Sequence, residues 1–213
     1  RSPSRGLGDV YKRQPKGMNG AKFRARYGVV GLSIVLKDFV VEGLNEAGLS
    51  AGLFYFPHYG NYPVYDAKQN TRTVADLQLV AWMLSQFSTI EEIKAAMQDI
   101  RVVSVDTTGA SSTVHWRIGD ANGRQVVLEF VDGVPCFYEN EIGVLTNSPG
   151  FPWQMTNLNN YVNLYPGGAE AHQLGGVTIF PFGAGSGFQG IPGDVTPPSR
   201  FVRAAFYKAT APQ

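Results

Sequence analysis

The run TVHWRIGDANGRQVVLEFVDGVPCFY, Thr113–Tyr138, decides the fold. Its β-branched and aromatic residues fall into three short blocks, Thr113–Ile118, Gln125–Val131 and Pro135–Tyr138. Between them stand Gly119-Asp120-Ala121-Asn122-Gly123 and the pair Asp132-Gly133, which supply turn chemistry. Asp-Gly between two apolar blocks is a strong local signal for a hairpin. The run therefore predicts an antiparallel meander. Past Glu139-Asn140-Glu141, a further short strand is expected at Gly143–Thr146.

Upstream, the period changes. Val74, Leu77, Val80, Ala81, Leu84 and Phe87 recur at helical spacing and predict one apolar helix face. Thr89 with Glu92 three residues on forms a capping box, which opens a second helix with a stripe of Ile90, Ile93, Ala96, Met97 and Ile100. Further upstream, strands are expected at Tyr27–Leu36, at Phe39–Glu42 across a Lys37-Asp38 turn, and at Ser50–Phe56 after the turn Asn45-Glu46-Ala47-Gly48. Pro57–Tyr65 reads as an aromatic loop. Downstream come a short helix over Met155–Leu164, a Gly- and Pro-rich stretch over 165–198, and a last helix from Ser199 to Thr210. Strands, two helices, strands, helix is an α+β order, with no βαβ alternation and no long repeat.

Composition narrows the function classes. The 213 residues carry 18 Lys+Arg against 17 Asp+Glu, so no basic excess is available for a nucleic-acid backbone. Hydrophobic residues make up 44% and charged residues 16%, enough for a sizeable core. No apolar run reaches the ~18 residues of a membrane-spanning helix. One cysteine excludes an intramolecular disulfide, and three histidines show no metal-ligand spacing. Residues 1–14 lack any apolar period, and Asp9–Gln14 resembles a translated adapter of transposase-based sequencing libraries. That segment is expected to be such an artefact or a disordered tail, with one domain over 15–213. There is no initiator Met, and the chain reads as a fragment lacking both ends.

Ordinary nucleophile signatures are missing. No Gly-x-Ser-x-Gly elbow occurs. Gly183-Ala184-Gly185-Ser186-Gly187 has no following Lys and reads as a flexible loop, not a phosphate cradle. Cys136 is expected to pack as a small inert core residue. His115 reads as core or sheet edge, His58 as a possible ligand contact in the aromatic loop, and His172 as solvent-exposed. No histidine has a carboxylate at a spacing suited to base work. Three stretches carry polar or phenolic groups beside Pro or Gly: Gly52–Pro57, Leu145–Pro149 and Gly190–Phe201. Asn147 could offer a side-chain N–H to a developing oxyanion, or simply close a local turn. Arg200, in the first turn of the last helix, opposes the macrodipole, which points to a carboxylate partner.

Together these stretches resemble the choloylglycine hydrolase family, which contains bile salt hydrolases and penicillin V acylases. Asn45–Leu49 followed by Gly52–Pro57, His115–Asp120, Leu145–Pro149 with Asn157–Tyr161, and Gly190–Phe201 match it in order over residues 15–213. The resemblance implies an αββα sandwich of two antiparallel sheets flanked by helices, incomplete in this fragment. It implies a linear amide hydrolase whose nucleophile is an amino-terminal cysteine with its own α-amine as base. It further implies that Asn147 is an oxyanion-hole residue, that Arg200 orders the charge network near the nucleophile, and that the Tyr55 backbone N–H is a second oxyanion donor. Phe56 and Tyr59, beside the Tyr55 side chain, would line an apolar acyl pocket, and Tyr55 leans toward acylase-like selectivity. The nucleophile would lie upstream of Pro15-Lys16-Gly17, and Cys136 does not match it. The chain as given is therefore expected to be inactive, its intact parent an enzyme on conjugated bile salts, penicillin V or related N-acyl amides. Two alternatives stay open, a non-catalytic homologue that binds acyl amides and an unrelated α+β protein. The expected partner is a small-molecule acyl amide, with a possible homotetramer in the intact protein. No metal or organic cofactor is implied, and cytoplasm and periplasm both stay open.

Overall fold

The computed structural model describes residues 20–34, 39–104 and 113–212. Readings placed on residues 1–14, on Pro15-Lys16-Gly17, on the end of the first strand at 35–36 and on the Lys37-Asp38 turn lie outside the described residues. The chain divides into two compact units, Arg1–Glu141 and Ile142–Gln213.

The first unit is built on a six-stranded sheet. Its strands are β1 (Val29–Ser33), β2 (Val40–Asn45), β3 (Ser50–Tyr55), β6 (Val114–Gly119), β7 (Gln125–Val131) and β8 (Val134–Glu139), in the order β1-β2-β3-β6-β7-β8. Every neighbour pair is antiparallel. The meander of β6, β7 and β8 forms as the turn residues predict, with Asp132 (φ 51°) and Gly133 (φ 78°) both left-handed at the tight turn. Alternation then sorts the side chains. Trp116, Ile118, Val126, Leu128 and Phe130 join one apolar core with helix α1 (Leu79–Gln86) and helix α2 (Ile90–Ala96). His115, Arg117 and Glu129 point to the other face. Thr89 caps α2 by accepting from Glu92 N at 3.2 Å, and Glu92 accepts from Ser88 N at 2.7 Å.

Helix α1 starts later than its periodicity suggests, because Thr73–Ala75 is strand β4 and Asp76–Gln78 a 3-10 turn. β4 pairs in parallel with β5 (Arg101–Val103) across both helices, so the first unit does contain one parallel crossover. The apolar run Val74-Ala75 suits either conformation, and a partner more than twenty residues away decides between them. Residues Leu79 to Ser85 are all buried, so α1 is wrapped by protein rather than striped.

In the second unit, α3 (Phe151–Asn157) runs into a 3-10 turn at Leu158–Tyr161. The expected helix over Met155–Leu164 thus begins four residues early, with Pro152 in its first turn, where a missing N–H costs nothing. A hairpin of β9 (His172–Leu174) and β10 (Val177–Ile179) occupies the Gly-rich stretch, so exposed His172 lies in a strand rather than a loop. The last helix, α4, spans Pro197–Thr210 and takes both prolines into its first turn. Gly143–Thr146 is not a strand: Thr146 commits its hydroxyl to Pro197 O at 3.1 Å instead of to a sheet edge. Gly187 is packed, not cradling: its N–H donates to Gly167 O at 3.0 Å, and a Cβ there would collide with the Tyr165 carbonyl.

Candidate active site

Asn147 and Arg200 come together within the second unit. Arg200 Nη2 donates to Asn147 Oδ1 at 2.7 Å, a bond spanning 53 residues of sequence and so no local turn. Arg200 Nε donates to Val195 O at 3.0 Å. The guanidinium is therefore fixed by two neutral acceptors. Among the described residues it makes no ion pair. The backbone just ahead of α4 supplies an acceptor where the macrodipole is unfavourable to a cation. Guanidinium groups only donate, so the oxygen of Asn147 must face Arg200 and the amide nitrogen must point elsewhere. The donating end of the Asn147 amide is thus turned away from the guanidinium.

The first turn of α4 is itself braced. Asp194 accepts from Thr196 N at 2.9 Å and from Ser199 Oγ at 2.6 Å, and these bonds, that from Ser199 foremost, hold its carboxyl down at about 2. Arg203 Nη1 clamps Pro192 O and Asp194 O, each at 2.6 Å. Thr146 Oγ1 on Pro197 O, and the edge contact of Phe151 with Phe201 at 6.2 Å, seat the Asn147 segment against that turn.

The other predicted residues lie in the first unit, at the end of β3. Tyr55 is the last residue of the strand, opposite Val114, and is 56% exposed. Tyr59 is also exposed, whereas Phe56 is fully buried, its ring 6.0 Å from that of Tyr59. The aromatic loop is bonded to the sheet at several points. Phe56 N donates to Thr113 O at 2.8 Å, Asn61 N to Phe130 O at 3.0 Å, and Gly133 N to Asn61 O at 2.9 Å. The Tyr62 hydroxyl donates to Val114 O and accepts from Val114 N, both at 2.9 Å. Exposed His58 holds a left-handed φ of 70°, uncommon without glycine.

Sequence reasoning missed a buried pair on the other face of this sheet. His115 Nδ1 lies 2.9 Å from Glu129 Oε1, with the two side chains 0% and 2% exposed. A carboxylate thus does sit beside a histidine, contrary to expectation. The signal was present: a hairpin centred on Asn122 sets Gly119 opposite Gln125 and carries His115 to Glu129. Cys136 is half-buried rather than a core residue, and the Tyr138 phenol is pushed up to about 12, first by burial and then by that thiol. Among the described residues no cluster of three His, Cys, Asp or Glu could hold a metal, and no helix is long and apolar enough to cross a membrane.

A family model described as linear amide C–N hydrolases, choloylglycine hydrolase family, matches residues 10–213. The chain belongs to the choloylglycine hydrolase family. The match begins inside the 1–14 segment that composition sets apart. Among relatives of this choloylglycine hydrolase family chain, a bile salt hydrolase/transferase of Clostridium perfringens is 34% identical over 194 residues, 89% of this chain and 59% of the relative. A penicillin V acylase of Pectobacterium atrosepticum is 28% identical over 174 residues, 78% of this chain and 40% of the relative. The crystal structure of a variant conjugated bile acid hydrolase from Clostridium perfringens superposes with a TM-score of 0.79 at 33% identity, over 90% of this chain and 60% of that one. A penicillin V acylase structure from Agrobacterium tumefaciens gives 0.71 at 25%, over 94% and 54%. The chain spans about three fifths of the length of the bile salt hydrolases it matches, 59% for the first. The α+β architecture is that of these hydrolases.

Proposed function

We propose that the whole protein to which this chain corresponds hydrolyses linear N-acyl amides, conjugated bile salts and penicillin V among them. The observation that carries this reading is the Arg200–Asn147 bond at 2.7 Å, which turns the amide N–H of Asn147 away from the guanidinium. In the proposed reaction an amino-terminal cysteine thiolate attacks the amide carbon, and the carbonyl electrons move to oxygen. The oxyanion accepts from Asn147 Nδ2–H; the Tyr55 backbone N–H is a proposed donor by the family resemblance alone. Collapse of the intermediate expels the amine, which takes its proton from the cysteine's α-ammonium, and water then cleaves the thioester. The only cysteine of this chain, Cys136, lies within β8 and is not the proposed amino-terminal nucleophile. Tyr55 and Tyr59, exposed beside buried Phe56, are the proposed acyl-side wall.

The test is turnover of glycocholate and penicillin V by the full-length protein and by its Asn147→Ala and Arg200→Met variants. Loss of an oxyanion donor lowers kcat by about 10²–10³, and Arg200→Met follows in the same direction. Binding of both amides without turnover by the wild type replaces this reading with that of a non-catalytic acyl-amide binder. We also propose self-association, up to a homotetramer, through the β9–β10 hairpin, where Leu174, Val177, Phe180 and Phe182 are exposed. Light scattering of the full-length protein and of a Phe180→Ser, Phe182→Ser variant tests it, a monomeric wild type being the refuting result.

A further inference from the structure

The proposed amide chemistry of Asn147 and Arg200 makes no use of His115 and Glu129, yet these two are among the most deeply buried polar side chains of the first unit. A buried pair of this kind is weak evidence for stability, since apolar residues of similar volume often serve as well or better. What surrounds the pair is more informative. The His115 imidazole lies flat on the Phe56 ring, centroids 4.2 Å apart and planes 8° from parallel. Phe54 meets the same imidazole edge-on at 6.2 Å and 86°. The bond between His115 Nδ1 and Glu129 Oε1 sets the plane of the imidazole ring.

Phe56 is the residue at which the chain leaves β3 for the aromatic loop. Its N–H and its carbonyl are both bonded to Thr113. The loop then folds back on it. A Cβ at Gly60 would lie 2.6 Å from Thr113 Oγ1 and 3.2 Å from the Phe56 ring, so the backbone passes too close for any larger residue. His58, in between, is held in the left-handed region. The exposed Tyr59 ring rests against Phe56. The shape of this segment is thus referred to one buried ring, and that ring is referred to His115.

We infer that His115 and Glu129 form a positioning pair for the acyl-side aromatic segment Tyr55–Tyr59, setting through Phe56 which acyl shapes are accepted. This rests on the proposed amide hydrolase reading, in which that segment lines the acyl pocket. Neither residue is catalytic: each acts through Phe56.

The experiment compares full-length wild type with a His115→Phe, Glu129→Leu double variant, which fills the same volume without the polar bond. The expected result is a denaturation midpoint near that of the wild type. The ratio of kcat/KM for penicillin V to that for glycocholate shifts by about tenfold or more. The shift falls in KM, with kcat little changed. Glu129→Gln, whose side-chain amide can still hydrogen-bond Nδ1, recovers most of the wild-type ratio. A lowered midpoint with an unchanged ratio means a merely structural pair and overturns the inference. If the double variant does not fold, Phe56→Leu decides: it reproduces the shift in KM if the inference holds, and an unchanged ratio refutes it. If the wild type turns over neither amide, the hydrolase reading fails separately. Positioning is then read from hydrogen exchange of the Asn61 amide, which must lose protection in the double variant, or in Phe56→Leu if that is the one that folds, while the sheet amides keep theirs. Unchanged protection at Asn61 overturns the inference.

Discussion

Asn45 offers the sharpest test of how the first unit is held together. Its side chain is buried and fully engaged. Nδ2 donates to Leu84 O at 2.9 Å, one of the carbonyls that α1 leaves open in its last turn, and to Phe87 O at 2.7 Å, just past its end. Oδ1 accepts from Ala47 N at 3.0 Å and from Leu49 N at 2.9 Å, closing the turn into β3. One residue therefore joins a helix terminus to a hairpin turn. Asn45→Ala strands four backbone groups, two of them in buried bonds and two in part-buried ones. At about 1–3 kcal/mol for each buried group and about 1 for each that water can reach, the loss is roughly 4–8 kcal/mol. Asn45→Asp keeps the two accepted bonds but turns a carboxylate oxygen against two carbonyls. Burial and that repulsion raise the new carboxyl's folded pKa above its unfolded value of about 3.9. The folded state then binds more protons than the unfolded one between those two values, so stability relative to wild type rises as pH falls through them. Urea denaturation of wild type and both variants, at neutral pH and at about pH 4, is the assay. An Asn45→Ala loss under about 1 kcal/mol would refute the bond accounting. An Asn45→Asp deficit that does not shrink on acidification would refute the electrostatic step.

Three further outcomes are expected. The Glu139 carboxyl is held down from 4.5 to about 2, chiefly by its bonds to Arg124 and then by Lys94, so its contribution is present above 4.5 and fades as pH falls toward 2. Glu139→Gln therefore flattens that part of the acid unfolding curve, by a small amount that added salt erases, because the network is exposed. Phe201→Ala, removing a fully buried ring in contact with Phe151, destabilises the second unit by about 3–5 kcal/mol in thermal or urea unfolding. Tyr62→Phe removes both bonds to Val114 and costs about 1–3 kcal/mol; its local signature is faster exchange of the Asn61 amide, and unchanged exchange there argues against the tie.

What could be read in advance followed from local rules. β6, β7 and β8 alternate along one face and are separated by turn residues, so the meander was legible. The capping box at Thr89 and Glu92 was legible because it needs only residues three apart. The β4–β5 pair was not, since its register joins Thr73 to Arg101 across two helices, and nothing in either short run names the other. Gly143–Thr146 misled for the converse reason: its composition suits a strand, but Thr146 finds its partner in Pro197 O. At the site, residue chemistry alone leaves Asn147 open as oxyanion donor or turn residue, and the family resemblance singles it out. The His115–Glu129 pair stood in the sequence as a charge inside the otherwise apolar VVLEFV block. Finding it required taking the Gly119–Gly123 turn as the centre of a register.

The Asn147–Arg200 contact explains why a cation is retained in the first turn of α4, where the macrodipole costs it about 0.3–1 kcal/mol. An asparagine amide can present either end to its surroundings, and an oxyanion site needs the nitrogen end. A neighbour that both donates and accepts, such as a hydroxyl, would leave both orientations open. Arginine has five donors and no acceptor, so it selects one. Its planar fork also reaches two acceptors at once, Val195 O through Nε and Asn147 Oδ1 through Nη2. A lysine ammonium keeps the charge but lacks that fixed spacing. The orientation of Asn147 is thus set by the geometry of the guanidinium and not by its charge, and the braces from Asp194, Ser199 and Arg203 hold the helix turn from which that geometry is measured.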